Sequence, residues 1–252
     1  MMNNANEISR QTKLYGYIGE HAGSCRFSAV INKIFKENAD DAMMIPMNIR
    51  EDDLYFTVSN IRQSHLHGVI ISNEYTQSVV EILDEASELV KRSGMCDIIY
   101  KKEEKLRGDI FSLRALNEHL KDLLATKIAI IGVNSYAKAF AFLACGFSVS
   151  YFHENLEELM TFTKEVDILD ADLNRLAPRM SVDLSGYDAV LDFSDIQNFE
   201  MIEKLPKHNL DMKNDKQFSA LKQRVHELGV SYTSTDMIID KFCVAAYRAI
   251  KK

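Results

Sequence analysis

The feature that most limits the fold of this 252-residue chain is the segment Lys127–Ile131 (KIAII), which Gly132 follows directly. Four of its five residues are apolar and three are β-branched, which is typical of a strand buried on both faces of a parallel sheet. A helical pattern covers residues 135–145, and a second strand pattern covers residues 147–152. Because parallel strands need such a crossover, this region is predicted to be a strand–helix–strand unit.

The first part of the chain shows the same alternation. Residues Tyr15–Gly19, Asp41–Ile49 and His67–Ile71 are predicted strands, and residues Ser28–Lys36 form a predicted helix between the first two. The first two strands should therefore be parallel. The fold class expected from this order is α/β.

Further elements are predicted from apolar spacing and helix-capping residues. They are a helix at Gln77–Lys91, a strand at Cys96–Tyr100, a solvated turn at Lys101–Lys105, a helix at Ser112–Leu124 with Leu113, Leu116, Leu120, Leu123 and Leu124 on its inner side, a strand within Asp183–Phe193, a helix at Ile196–Leu205 capped by Ser194 or Asp195, and helices at Phe218–Leu228 and Met237–Ile250.

Charge and cysteine content exclude several classes of function. The net charge of −7 is spread along the chain, so neither a nucleic acid nor an anionic membrane is an expected partner. The four cysteines are far apart and form no C-x-x-C pair, so no metal site is predicted. Residues Met1–Arg10 lack a signal-peptide pattern, and no apolar run approaches the roughly 18–20 residues of a membrane span. We expect a cytoplasmic protein.

Four segments carry a resemblance to one family. They are Gly68–Thr76 (GVIISNEYT), Gly94–Ile99 (GMCDII), Leu106–Ser112 (LRGDIFS) and Lys127–Ala139 (KIAIIGVNSYAKA). In order and spacing they resemble the motifs of the shikimate dehydrogenase family. The resemblance implies a substrate-binding-like α/β domain at residues 1–111 and 235–252, and a Rossmann-like nucleotide-binding domain at residues 112–234. It also implies an oxidoreductase that uses NADP.

The family's catalytic pair is not intact in this chain. Thr76 stands where the resemblance places a lysine, and Ser112 stands where it places an aspartate. That pair must hold and release a proton, and an unassisted hydroxyl does not do so near neutral pH. No catalytic residue is therefore predicted at these two positions.

The positions that hold the substrate in the family also differ. Cys25 and Phe27 replace two serines, Ile70 replaces an asparagine and Lys241 replaces a glutamine. Asp97 replaces another asparagine, and it either pairs with Lys241 or both side chains face solvent. Arg26 lies beside the old carboxylate site and could bind a different acid through its guanidinium, or be an ordinary surface residue. These six residues are the candidate ligand-binding positions.

The turn that receives the dinucleotide in the family is altered as well. Gly132 is present, but Asn134 and Ser135 replace the second and third glycines, and Ser135 could cap the next helix. Glu154 would repel the 2′-phosphate of NADP, although an acid at this distance suits the ribose of NAD. The sequence therefore predicts no bound cofactor, with NAD or NADP as the alternative.

These departures predict a protein that has lost shikimate dehydrogenase activity, with a degenerate site that binds a small acid or a protein partner in the cleft between domains. One alternative is an active NAD(P)-dependent oxidoreductase acting on a shikimate-like or other small hydroxy or keto acid. A second is a structural subunit of a biosynthetic assembly. The sequence is also compatible with a homodimer.

Overall fold

The computed structural model describes residues 11–168 and 171–251. The N-terminal decapeptide used above to exclude a signal peptide lies outside these residues. The chain divides into two compact units: the first runs through Ala115 and resumes at Ile239, and the second spans Leu116–Ile238. No helix within the described ranges is long and apolar enough to span a bilayer.

Fourteen strands and eight α-helices make up the described chain. The strands are β1 (Lys13–Gly19), β2 (Ala42–Asn48), β3 (Leu66–Ile71), β4 (Glu85–Ala86), β5 (Ile98–Lys102), β6 (Lys105–Asp109), β7 (Lys127–Ile131), β8 (Ser148–His153), β9 (Asp172–Arg175), β10 (Val182–Asp183), β11 (Ala189–Asp192), β12 (Ile202–Lys204), β13 (His208–Asp211) and β14 (Ser231–Thr233). The helices are α1 (Phe27–Glu37), α2 (Glu51–Asn60), α3 (Glu88–Ser93), α4 (Ser112–Asp122), α5 (Ser135–Leu143), α6 (Leu156–Glu165), α7 (Ala220–Leu228) and α8 (Ile239–Ile250).

The first unit is built on a mixed six-stranded sheet in the order β2-β1-β3-β5-β6-β4. Strand β1 is parallel to β2 and β3, whereas β5 is antiparallel to both β3 and β6. The predicted parallel pair with its intervening helix α1 is confirmed. Helix α8 packs beside α1, where the rings of Phe35 and Tyr247 are 5.9 Å apart.

Two predictions in the first half of the chain are wrong. Residues 77–91 are not one helix, because β4 pairs with β6 and α3 begins only at Glu88. Asp84 stops a helix there by accepting a hydrogen bond from the Leu106 amide (2.8 Å), and Ser87 then caps α3. Leu124 does not face inward: α4 ends at Asp122, and Leu124 is 83% exposed with φ +57°.

The second unit is built on an all-parallel six-stranded sheet in the order β14-β13-β11-β7-β8-β9. Strand β7 lies inside the sheet, and its four apolar residues are fully buried, as its composition predicted. The chain moves outward from β7 through β8 and β9, and then returns to the other side of β7 as β11. This reversal places a topological switch point between β7 and β11, where open α/β sheets bind ligands.

The predicted helix over residues 196–205 is also wrong. Residues Ile202–Lys204 form β12, which pairs with β10 in a small parallel sheet. Ile202 and Leu205 are buried in the apolar core, and Lys204 pairs with Asp183 at 2.8 Å. The buried positions that suggested a helical face therefore belong to a short strand and the loop after it.

Candidate functional site

The turn after β7 lies at the switch point of the second unit. Gly132 has φ +96°, and a β-carbon there would lie 2.8 Å from the amide nitrogen of Ser194 and 2.9 Å from the carbonyl carbon of Phe193. Only glycine allows the backbone after β11 to come this close. The turn after β7 and the segment after β11 are therefore in direct contact.

Asn134 fills the amino-terminal end of α5. Its Oδ1 accepts hydrogen bonds from the amides of Tyr136 (3.0 Å) and Ala137 (3.3 Å), and its Nδ2 donates to the carbonyl of Phe193 (2.5 Å). The cap is thus Asn134, and not Ser135, which is the first residue of the helix. These amides are the groups with which a helix N-terminus binds phosphate, and both are already bonded to this side chain.

Phe193 fixes the segment after β11 against α5. Its ring is 5% exposed and stacks on Tyr136 at 6.0 Å, and it contacts Phe140 at 6.2 Å. No local pattern in the sequence indicates this role for Phe193, because its partners lie more than fifty residues away in the chain. Aromatic packing and the Asn134 hydrogen bond thus hold the same short segment.

Asp192 ends β11 next to this contact and is buried. Its Oδ1 accepts hydrogen bonds from the Ser194 amide (2.9 Å) and hydroxyl (2.6 Å), while its Oδ2 is buried without a hydrogen-bond partner. Burial raises the pKa of Asp192 to about 7, although the Ser194 bonds and Lys213 act in the opposite direction. This carboxyl group therefore changes charge near neutral pH.

Asp211 occupies the equivalent position on the neighbouring strand β13. It accepts hydrogen bonds from the hydroxyls of Ser219 (2.6 Å) and Tyr232 (2.7 Å) and from the Lys213 amide (3.0 Å). Burial and the nearby Asp211 charge raise the pKa of Tyr232. Two acidic side chains thus lie side by side at the carboxyl edge of the sheet, and that of Asp211 is fully engaged in hydrogen bonds.

Glu154, the candidate ribose ligand, lies just after β8 and is exposed. The neighbouring side chains are engaged locally: His153 bonds Glu158 at 3.0 Å, and Asn155 caps α6 through the Glu157 amide at 2.9 Å. The Glu154 side chain is therefore exposed to solvent at the carboxyl end of β8, the strand beside β7.

In the first unit, the structure joins Ser112 and Asp97. Asp97 accepts hydrogen bonds from the amides of Phe111 (2.8 Å) and Ser112 (3.0 Å) and from the Ser112 hydroxyl. Burial raises the pKa of Asp97 to about 6, although these three hydrogen bonds favour its charged form. The prediction that Asp97 faces solvent is wrong, because only 2% of the residue is exposed. Its carboxylate oxygens bind the amides at the start of α4 instead.

Thr76 is also buried and turned into the protein. Its hydroxyl donates to the Asn73 carbonyl at 3.2 Å, and its own carbonyl accepts from the Cys96 amide at 2.8 Å. Both hydroxyl groups at the altered catalytic positions, Thr76 and Ser112, are thus engaged in intramolecular hydrogen bonds.

The other candidate ligand positions of the first unit differ in exposure. Phe27 and Ile70 are buried, Cys25 and Lys241 are half-buried and Arg26 is exposed just before α1. The ring of Phe27 stacks on Tyr17 at 4.9 Å and contacts Phe111 at 6.1 Å, so aromatic side chains surround it. Burial and the neighbouring Cys25 raise the pKa of Tyr17.

Acidic groups lie near this aromatic cluster. Glu74 accepts hydrogen bonds from the Glu20 amide (3.0 Å) and the Ser72 hydroxyl. Burial and the charges of Glu20, Glu74 and Glu51 raise the pKa of Tyr75. Within residues 11–168 and 171–251, no three His, Cys, Asp or Glu side chains are arranged to hold a metal ion.

Comparison with known proteins gives a consistent set of relatives. The chain is 28% identical over 149 residues to the NADP(+) shikimate dehydrogenase of Dictyoglomus turgidum, a match that covers 57% of this chain and 54% of that protein. The chain thus spans about half the length of the curated relatives it matches. No family model matches the sequence.

Solved structures match nearly the whole chain. The ligand-free 5-ketofructose reductase of Gluconobacter sp. strain CHM43 has a TM-score of 0.74 at 16% identity and covers 97% of this chain and 95% of its own. The shikimate dehydrogenase of Aquifex aeolicus has a TM-score of 0.71 at 14% identity, with 98% and 100% covered. These likenesses establish the two-part α/β fold with its Rossmann-like parallel sheet.

Proposed function

We propose that this chain, a member of the shikimate dehydrogenase family, has no NADP-dependent shikimate dehydrogenase activity and binds a small acid or a protein partner. The proposal concerns both the cofactor and the proton-transfer groups of the reaction. Its main support comes from the second unit, and independent support comes from the first.

The observation that carries the proposal is the hydrogen bonding of Asn134. A Rossmann-type turn leaves the first amides of its helix free, so that they can bind the pyrophosphate of a dinucleotide. Here the Tyr136 and Ala137 amides bond Asn134, and Asn134 bonds Phe193. A dinucleotide would have to displace these three hydrogen bonds, so the residues present do not fit it in this arrangement.

The altered catalytic positions support the same conclusion. Proton transfer to or from a substrate hydroxyl needs a group that exchanges its proton near the working pH. Thr76 and Ser112 offer hydroxyls only, and both hydroxyls donate to other groups of the protein. The adjacent carboxyl of Asp97 is buried and accepts hydrogen bonds from two backbone amides.

The ligand that we propose is a small carboxylic acid, with Arg26 as its ion-pair partner. Arg26 is exposed and next to Cys25 and Phe27, two of the altered substrate positions. The buried side chains of Phe27 and Ile70 cannot pair with the hydroxyl groups of a polyol, and each unpaired buried polar group costs about 1–3 kcal/mol. A less hydroxylated acid than shikimate is therefore favoured.

A second candidate function is an oxidoreductase that uses NAD. Glu154 favours it, because an exposed acid after the second strand of a Rossmann unit can accept hydrogen bonds from the ribose hydroxyls of NAD. Asp97, whose pKa of about 6 lies close to neutral pH, would be the proton-exchanging group.

Calorimetric titration separates the two candidates. We expect NADP(H) and NAD(H) to give no binding heat with the wild type, and shikimate oxidation with NADP to be undetectable at high protein concentration. Turnover of shikimate would refute the proposal, and tight binding of NAD alone would favour the second candidate. Asn134→Gly should increase NAD binding by freeing the two amides, whereas Asn155→Gly, which alters the equivalent cap of α6, should not.

Ligand-detected NMR tests the proposed acid site with pyruvate, malate and shikimate as probes. We expect the two simpler acids to bind more tightly than shikimate, and Arg26→Gln to abolish that binding. Arg50→Gln is the matched control, because Arg50 is also exposed and directly precedes a helix. Equal loss in both variants would contradict a specific role for Arg26, and binding of no acid would leave the protein partner or the assembly subunit as the function.

A further inference from the structure

A continuous series of hydrogen bonds connects Asp192 to the start of α5. Asp192 binds the amide and hydroxyl of Ser194, and the peptide between them carries the Phe193 carbonyl that accepts from Asn134. Asn134 in turn caps α5. We call residues 192–194 the Asp192 turn. Its conformation decides where the Phe193 carbonyl lies, and therefore whether Asn134 is held in place.

The surroundings of Asp192 favour its neutral form. From β13 and the residues after it, Asp211 faces it with a negative charge and Lys213 with a positive one. Tyr232 of β14 bonds Asp211, and from α5 the Tyr136 ring packs on Phe193. The buried Oδ2 has no hydrogen-bond partner to offset the loss of water around a negative charge. Ionisation in the closed arrangement is therefore costly.

The residues directly after the turn, 195–198, belong to no strand, and Asp195, Gln197 and Asn198 are exposed. The Ile196 amide bonds the Ser194 hydroxyl two residues back, and the Gln197 side chain donates to the Asp195 carbonyl. Beyond Phe193, whose amide bonds Ile131 at 2.8 Å, these bonds are local. Local bonds of this kind can move with residues 195–198, whereas Phe199 and Ile202 stay in the apolar core.

We infer that Asp192 is a proton-sensitive control of the start of α5: its neutral carboxyl keeps the Asp192 turn closed on Gly132 and Asn134, and its ionisation opens the turn and frees the first amides of the helix. The open form gains water around Oδ2 and loses the Asn134 bond to Phe193. The inference goes beyond the proposed function, because it concerns opening of the turn whether or not any nucleotide binds.

Hydrogen exchange of the Tyr136, Ala137 and Ser194 amides, corrected for intrinsic exchange, measures this opening as a function of pH. A carboxyl with pKa 3.8 when open and about 7 when closed makes opening about tenfold more frequent per pH unit between pH 5 and 7, with a plateau above. Protection of these amides should fall accordingly in the wild type. In Asp192→Asn it should be independent of pH.

Two further variants complete the test. Asp97→Asn removes a second buried carboxyl that also accepts from a serine, and it should leave the pH dependence of the three amides unchanged. Ser194→Ala removes a bond that favours the charged form, so the plateau should move to higher pH even if Asp192→Asn does not fold. Protection that does not depend on pH in the wild type, or an unchanged slope in folded Asp192→Asn, would overturn the inference.

Discussion

Replacing Asn134 by alanine should destabilise the second unit more than removal of an ordinary helix cap. The substitution removes the acceptor for the Tyr136 and Ala137 amides, which is worth about 1 kcal/mol for a typical cap. It also removes the donor for the Phe193 carbonyl, and a buried acceptor left without a partner costs about 1–3 kcal/mol more. We expect a total loss of about 2–4 kcal/mol.

The assay should report on the second unit alone, because a chain with two units need not unfold in a single step. Exchange of the fully buried β7 amides, Ile128 to Ile131, gives the free energy of unfolding of this sheet. Asn155→Ala is the matched control, since Asn155 caps α6 through one amide and its other contact is to exposed Glu158. Its expected loss is about 1 kcal/mol.

Equal losses of stability in the two variants would contradict this prediction. That result would mean that the Phe193 hydrogen bond contributes nothing, and that the turn after β7 is held by Gly132 and the aromatic contacts alone. If Asn134→Ala loses about 1 kcal/mol more unfolding free energy than Asn155→Ala, the Phe193 hydrogen bond is a separate stabilising contact.

Two further predictions concern backbone geometry and pH. Gly132→Ala should lower the free energy of unfolding measured at the β7 amides by about 2–4 kcal/mol, because it combines an unfavourable positive φ with a backbone contact of 2.8 Å. Gly186→Ala is the control and should be near neutral, because a β-carbon there meets nothing within 4 Å. Similar losses in the two variants would contradict the close backbone contact at Gly132. The pKa of Asp97 is raised in the folded protein, so its neutral form stabilises the first unit. As pH rises from 4 through 6, the free energy of unfolding of this unit should fall by about 3 kcal/mol. The difference between wild type and Asp97→Asn in exchange of the Val69 and Ile70 amides should show this dependence, and a difference that is constant with pH would contradict it.

The parallel sheet of the second unit could be predicted from the sequence because its central strand is buried on both faces. In Lys127–Ile131 the apolar composition alone indicates that environment, and the structure buries all four apolar residues. The helix predicted at residues 77–91 failed for the opposite reason. Apolar spacing was compatible with a helix, but Glu85–Ala86 pairs with a strand whose residues lie 22 positions later in the chain.

The candidate site was predictable in its composition but not in its contacts. The loss of the second glycine is visible at Asn134, and so is the helix N-terminus that follows. The Phe193 carbonyl, which binds the Asn134 side chain, is 59 residues away, and no local pattern pairs the two. Burial of Asp192 likewise depends on β13, which comes later in the chain.

The division of the chain also has a consequence for the order of folding. The first unit uses residues from both ends of the sequence: Tyr247 of α8 donates a hydrogen bond to Asp40, 207 residues away, and Cys243 lies against the Phe27 carbonyl. The second unit is continuous, so it can complete its sheet as soon as it emerges from the ribosome. The first unit must wait for α8. Until then the side of α1 that α8 covers, with Phe35 in it, lacks its packing partner during synthesis.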